Sequence, residues 1–222
     1  MSAKLKYAFH EPTSKYIYIE DAENGLKCNC RCEKCKERLE AIQGNERDWH
    51  FRHHIKTDCS GAPETLIHKY AKQIIAEHSE IKAVGHILKY SHPRIEKRLE
   101  NKITPDVTVC VNGSNIYFEI KVSHASTLNK KAFYRNREYK SIEIDLSRVP
   151  YDIPEEELEN LVLNEAPRKY IYWPQPLHKQ PKNEGSFLWN LMLPVIAFAS
   201  FVFLLTKTRK YKKARVSKIW KR

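Results

Sequence analysis

Ile103-Thr-Pro-Asp106-Val-Thr-Val-Cys110, a Val111-Asn112-Gly113-Ser114 turn, and Asn115-Ile-Tyr-Phe-Glu119-Ile-Lys121-Val-Ser123 decide the fold class of this 222-residue chain. Both runs are rich in β-branched and aromatic residues, and the Asn-Gly between them is a strong hairpin signal. In a strand, residues i and i+2 share a face. Ile116, Phe118, Ile120 and Val122 therefore form a wholly apolar face suited to a core contact, while Glu119 and Lys121 project together from the other. If the strands pair across the turn, Asp106 lies close to that second face. A solvated strand with an exposed Glu/Lys pair is the plain alternative, but packing alone does not require two acids and a lysine to converge.

The flanking segments supply helices and further strands. Pro63 to Ser79 predicts a helix with proline in its first turn, and Leu66, Ile67, Tyr70, Ala71 and Ile74 form its apolar face. Glu64, His68 and Lys72, four apart, form a polar stripe on its edge. Lys15 to Glu20, His86 to Ser91 and Ser141 to Leu146 read as strands, and Tyr170 to Trp173 as an edge strand. Thr127 to Tyr139 and the acid-led run from Pro154 read as helices. The expected class is α/β, a mixed sheet flanked by helices.

Six cysteines, Cys28, Cys30, Cys32, Cys35, Cys59 and Cys110, stand at short spacings instead of spreading like a disulfide framework. Cys32-x2-Cys35 followed by His53 and Cys59 offers four ligands in two pairs, the set a tetrahedral structural Zn²⁺ needs. A metal there would replace the core that the polar stretch 22–59 is not expected to build. His50 and His54 compete with His53, and Cys28 or Cys30 could replace a ligand. A redox thiol pair lacks its usual βαβ context. Cys110 alternates into a strand and is expected in the core.

Two carboxylates and a lysine on one sheet face suit metal-assisted phosphodiester hydrolysis. Carboxylate oxygens hold Mg²⁺, the metal stabilises phosphate charge and activates a water, and a lysine helps orient or deprotonate that water. The order of helix Glu64, Pro105-Asp106 and Glu119-Ile120-Lys121 resembles the PD-(D/E)XK nuclease superfamily. Residues 28–150 are similar to the competence protein CoiA-like family, which joins a Cys/His zinc-binding segment to such a core. The matching pieces are Cys32-x2-Cys35, His50-Phe-Arg-His53, Cys59, Glu64-x3-His68 with Lys69 and Lys72, Pro105-Asp106, Glu119-Ile120-Lys121-Val122-Ser123 and Arg137-Glu138-Tyr139. The resemblance implies a PD-(D/E)XK nuclease-like mixed sheet. It also implies Asp106 and Glu119 as ligands of Mg²⁺ or Mn²⁺, Lys121 as base or orienter, Glu64 completing the metal shell or holding a water, and His68 near the scissile phosphate. Many members carry Gln at the motif lysine, whereas this chain keeps Lys121. Lys72, Ser123, Arg135 and Arg137 are candidate backbone contacts to DNA. For Lys72, a solvated helix charge is the commoner reading.

The net charge of +12 implies an anionic partner, yet nine Lys/Arg and no acid follow Leu205, so most of that charge lies in the tail. Residues 186–205 carry no charge and, as a helix, would span about 30 Å, the thickness of a bilayer's hydrocarbon core. The expected division is an N-terminal hairpin and zinc segment (1–61), a nuclease-like core (62–173), a Pro-rich linker (174–185), a transmembrane helix (186–205) and a basic tail (206–222). The first residues hold no apolar stretch long enough for a signal peptide. That absence and the thiols favour a cytoplasmic body at the inner membrane, although the basic tail argues for its own cytoplasmic side. The tail would then be translocated, or the helix would insert shallowly as a monotopic anchor with both ends inside. The expected function is a membrane-anchored, metal-dependent DNA endonuclease acting on incoming DNA, in defence or in DNA uptake. The competing reading is a non-cleaving module that tethers DNA or a partner protein. A concerted double-strand break would need two active sites, which makes a homo-oligomer or a partner protein a further expectation.

Overall fold

The computed structural model describes residues 4–45 and 48–174. It is a mixed α/β architecture of two five-stranded sheets, one small hairpin and a few helices. The predicted linker beyond Pro174, membrane helix and basic tail lie outside the described residues. Among those described, no helix is long and apolar enough to cross a membrane.

The first sheet comprises β1 (Tyr7–His10), β2 (Lys15–Tyr18), β3 (Gly25–Arg31), β4 (Arg38–Ile42) and β5 (His50–His53), antiparallel in the order β2-β1-β3-β4-β5. Here the expectation for residues 22–59 is corrected. This stretch builds three strands and contributes core of its own, with Cys28, Cys30, Leu39, Ala41 and Phe51 all buried. Its apolar residues are few but alternate, which is what a strand needs to bury one face.

Helix α1 (Pro63–Glu77) follows, then the hairpin of β6 (Glu80–Ala83) and β7 (His86–Lys89). The second sheet consists of β8 (Ser91–Ile95), β9 (Val107–Val111), β10 (Ser114–Lys121), β11 (Ser141–Asp145) and β12 (Arg168–Tyr172), in the order β12-β11-β10-β9-β8. The β9–β10 hairpin forms as the sequence predicts, with Asn112 and Gly113 both at positive φ in the turn. Strands β10 and β11 are parallel and are joined through α2 (Leu128–Asn136), as a parallel pair requires a crossover. The Thr127 hydroxyl caps α2 by accepting from the Lys130 amide. The acid-led α3 (Glu155–Asn160) runs into a π-helical turn over Leu161–Glu165.

Strand β8 was not legible in the sequence because it contains Pro93. It lies at the sheet edge, where a missing N–H is tolerated. The predicted 86–91 strand divides instead, with His86–Lys89 pairing to β6 and Ser91 opening β8. Cys110 is a second departure, only half buried on β9 and outside the core.

Helix α1 packs against β1 and β2 of the first sheet and against β8, β9 and β10 of the second. Leu66, Ile67, Tyr70, Ala71, Ile74 and Ile75 are all buried, a stripe wide enough to serve both layers. Gln73 docks the β2 edge by accepting from the Tyr16 amide at 2.8 Å and donating to the Tyr16 carbonyl at 3.0 Å. The Tyr7 hydroxyl donates to the Ile153 carbonyl at 2.9 Å, tying the first sheet to the loop before α3. The two faces of β10 then differ sharply. Ile116, Phe118 and Ile120 join the core shared with α1, while Tyr117 packs with Tyr134 of α2 in a separate cluster.

Candidate metal centre and carboxylate cluster

Cys32 follows the end of β3 and opens a tight turn to Cys35. The turn is closed by the Lys36 amide on the Cys32 carbonyl and the Cys32 amide on the Glu37 carbonyl, both at 2.9 Å. His53 ends β5, and Cys59 sits in the loop before α1. Their ligand atoms all lie within 4.8 Å of one another. Zn–S bonds of about 2.3 Å and a Zn–N bond of about 2.0–2.1 Å imply tetrahedral edges of about 3.8 Å between sulfurs and about 3.5 Å from sulfur to nitrogen. Cys32 Sγ and Cys59 Sγ are 3.8 Å apart, and Cys35 Sγ and His53 Nε2 are 3.3 Å apart. This Cys₃His cluster has the donors and the spacing to hold a metal ion such as zinc.

The alternative ligands are committed elsewhere. His50 Nδ1 faces the Asp48 carbonyl, and His54 pairs with Glu40. Cys28 and Cys30 are buried and donate to the Leu39 and Cys28 carbonyls. Within the cluster, burial pushes the Cys32 thiol up to about 11, against the pull of the Cys35 and Lys34 amides. Burial also works to raise Cys59, but the Gly61 amide, the neighbouring thiols and Lys34 outweigh it and hold that thiol below its usual range. A bound cation would reverse the cost at Cys32, since thiolate is the coordinating form.

The second constellation forms where α1 meets the start of β9 and the end of β10. Asp106 immediately precedes β9, and its Oδ2 accepts from His68 Nε2 at 3.1 Å and from the Ile120 amide at 2.8 Å. Lys72 Nζ lies 3.9 Å from Asp106 Oδ1 and 2.5 Å from Glu96. Burial works to raise the Asp106 carboxyl, yet His68, the Ile120 amide and Lys72 overcome it and hold the group below the usual carboxylate range. The view of Lys72 as a solvated charge is thereby corrected. It is 1% exposed, because α1 lies between two sheets and has no solvated face at that position.

Glu119 and Lys121 emerge on the α2 side of β10, and continuing the Phe118–Val107 register sets Asp106 beside Glu119. Glu119 is buried at 2% exposure. Its carboxylate accepts from Lys130 Nζ at 2.6 Å and from the Tyr134 hydroxyl at 2.5 Å. Burial raises the Glu119 carboxyl to about 7 against the charge of Lys130, and the Asp106 charge adds to the rise. Lys121 Nζ donates to Asp145 Oδ2 at 2.8 Å, and burial of Asp145 is outweighed by Lys121 and Ser147, which bring it down to about 2. Glu64 accepts from the Ser123 hydroxyl.

The predicted residues are thus gathered unequally. His68, Asp106 and Lys72 meet directly, with Glu119 alongside. Among the described residues only the Cys/His group brings three or more ligand atoms within 4.8 Å of one another, so no three of Glu64, Asp106, Glu119 and His68 close to that separation. Arg135 donates to the Ile171 carbonyl and Arg137 pairs with Glu100, so both serve local structure here. The groups that sequence reasoning missed are Lys130, Tyr134, Glu96 and Asp145. Lys130 and Tyr134 stand at i,i+4 on α2, a spacing that places them on one helix face. Asp145 shares the strand face of Glu143 and pairs in register with Lys121. Glu96 follows the unpredicted strand β8 and carried no signal.

No protein-family model, no curated protein and no solved structure matches this chain.

Proposed function

We propose that the chain is a metal-dependent DNA endonuclease of PD-(D/E)XK type with a structural zinc centre. The observation that carries this reading is the pair of carboxylates formed by half-buried Asp106, just before β9, and buried Glu119 on β10, beside a helix-borne histidine and lysine. A mixed sheet with α1 against one face of β10 and α2 against the other supports the resemblance to that superfamily. Hard oxygen donors of this kind suit Mg²⁺ or Mn²⁺. Such an ion, held by Asp106 and Glu119, would supply charge stabilisation at the phosphate and an activated water.

The chain's own residues do the rest. His68 and the Ile120 amide fix Asp106 as an anion, and Lys72 offsets its charge from beneath. Lys121 orients or deprotonates the attacking water once it leaves Asp145. Glu64 holds a water or completes the site. Residues 186–205 and the basic tail would anchor this body to the inner membrane, on its cytoplasmic side, where it would meet incoming foreign DNA in defence or uptake.

A second reading is a non-cleaving, membrane-tethered module that binds DNA or a partner protein. It is favoured by the engagement of Glu119 with Lys130 and of Lys121 with Asp145. The deciding experiment incubates linear, circular and single-stranded DNA with the full-length protein and Mg²⁺ or Mn²⁺, beside Asp106→Ala and Lys121→Ala variants of verified zinc content. Cleavage by the parent alone is the expected outcome. DNA binding without cleavage by a zinc-loaded parent would select the tethering module.

A further inference from the structure

A cavity of about 540 Å³ opens at the C-terminal ends of β10 and β11, and neither metal reading uses it. Lys121, two residues along β10 from Glu119 and on the same strand face, stands in the cavity wall. Val149, Ile153, Leu161 and Ala166 give it aliphatic sides, and Arg148 stands exposed at its rim. Among the described residues Arg148 has no carboxylate within 4.0 Å, so its guanidinium is free for an incoming anion. The acid on the same wall, Asp145, is already neutralised by Lys121. The volume falls inside the usual range for sites that take small organic groups.

We propose that this cavity receives one unstacked nucleotide of the DNA strand that carries the scissile phosphate, so that the preferred substrate is single-stranded or locally opened DNA. The inference rests on the hydrolytic reading above. Whatever occupies the cavity lies against Lys121, the lysine of the hydrolytic reading, and the group joined covalently to a phosphate held at that site is the adjacent nucleoside. Aliphatic walls accept the flat faces of a base, while Arg148 at the rim meets a flanking phosphate. Glu157 lines the α3 side and offers an acceptor to an exocyclic amine. A base stacked inside a duplex cannot enter such a recess without first being extruded, which disfavours intact double strands.

The test uses the zinc-loaded full-length chain in mild detergent without added Mg²⁺ or Mn²⁺, and measures fluorescence anisotropy of labelled 12-nucleotide strands. Three probes are compared: an intact single strand, the same strand with successive single abasic positions, and the matched duplex. The intact strand should bind about tenfold more tightly than the strand with its best-placed abasic site, the scale expected for burying one base between apolar side chains. It should also bind more tightly than the duplex. Val149→Trp, which fills the cavity from a half-buried position, should abolish the difference between intact and abasic strands, and Arg148→Ala should weaken both alike. Equal affinity for intact and abasic strands, or tighter binding of the duplex, would overturn the proposal on the parent protein, whatever the variants do. Cleavage is scored separately with Mg²⁺. Base-independent binding with cleavage removes the pocket and leaves the nuclease, whereas base-dependent binding without cleavage removes the nuclease and leaves a strand-binding pocket.

Discussion

Glu119 concentrates the conflict between stability and chemistry in this molecule. It is an acid on a strand with an apolar opposite face, buried under α2 and held by Lys130 and Tyr134. Its carboxyl is raised to about 7 in the folded chain, mainly by burial, above its ordinary value near 4.5. The sign follows from linkage. The stability this group contributes is fully present below about pH 4.5 and is lost as pH rises through about 7. Removing Lys130 would raise the carboxyl further and leave an unpaired buried charge at alkaline pH. Lys130→Met is therefore expected to cost about 3 kcal/mol at pH 8 and distinctly less at pH 5, measured by urea unfolding. The double variant with Glu119→Gln should recover most of that loss at pH 8. A cost equal at both pH values would mean that Lys130 acts through packing alone.

At the scale of elements, the entry to α1 and the start of α3 carry the sharpest expectations. Gly61 has φ +75° between the Cys59 ligand and the helix, and a Cβ there would stand 2.5 Å from Leu5 Cδ1. Gly61→Ala is expected to cost about 1–3 kcal/mol from the backbone conformation and the clash. Because the Gly61 amide also donates to Cys59 Sγ, the variant should release zinc to a competing chelator more readily than the parent. At the other element, Glu155 accepts from the Tyr70 hydroxyl of α1. Its carboxyl is raised to about 7 by burial together with Asp21, Glu159 and Glu20. Here too the contribution is present below about pH 4.5 and vanishes as pH passes 7. Glu155→Gln keeps the hydrogen bond without the charge. It should gain on the order of 1 kcal/mol over the parent at pH 8 but not at pH 4, a small value because the group is partly solvated. Melting curves at the two pH values would show it, and an identical shift at both would refute it.

For the whole molecule, the shared core sets the expectation. Tyr7 and Phe51 of the first sheet, Leu66 of α1 and Phe118 of the second sheet belong to one buried cluster. Loss of metal from the Cys₃His cluster should therefore be felt throughout residues 4–174. Treatment with a strong chelator is expected to lower Tm by roughly 10 °C while leaving a single transition, followed by calorimetry and restored by added Zn²⁺. Two separated transitions would instead make the first sheet an independent domain.

Local pattern determined much of this protein. The Asn112-Gly113 hairpin, the apolar face of β10, the helix over 63–77 and the Cys32-x2-Cys35 turn follow from nearest-neighbour rules: side-chain periodicity, turn chemistry and ligand spacing. The Cys/His set could be named in advance because its spacing is short, although only the fold chose His53 over His50 and His54 by committing those two to Asp48 and Glu40. Strand β8 escaped because proline hides an edge strand from propensity. The burial of Lys72, the clamp of Lys130 and Tyr134 on Glu119, and the Lys121–Asp145 pair escaped for a different reason. Each joins residues from separate elements, and which polar groups end up facing one another depends on how α1 is held between two sheets and how α2 crosses from β10 to β11. Periodicity states which face of an element is polar; only the packed structure decides what that face meets.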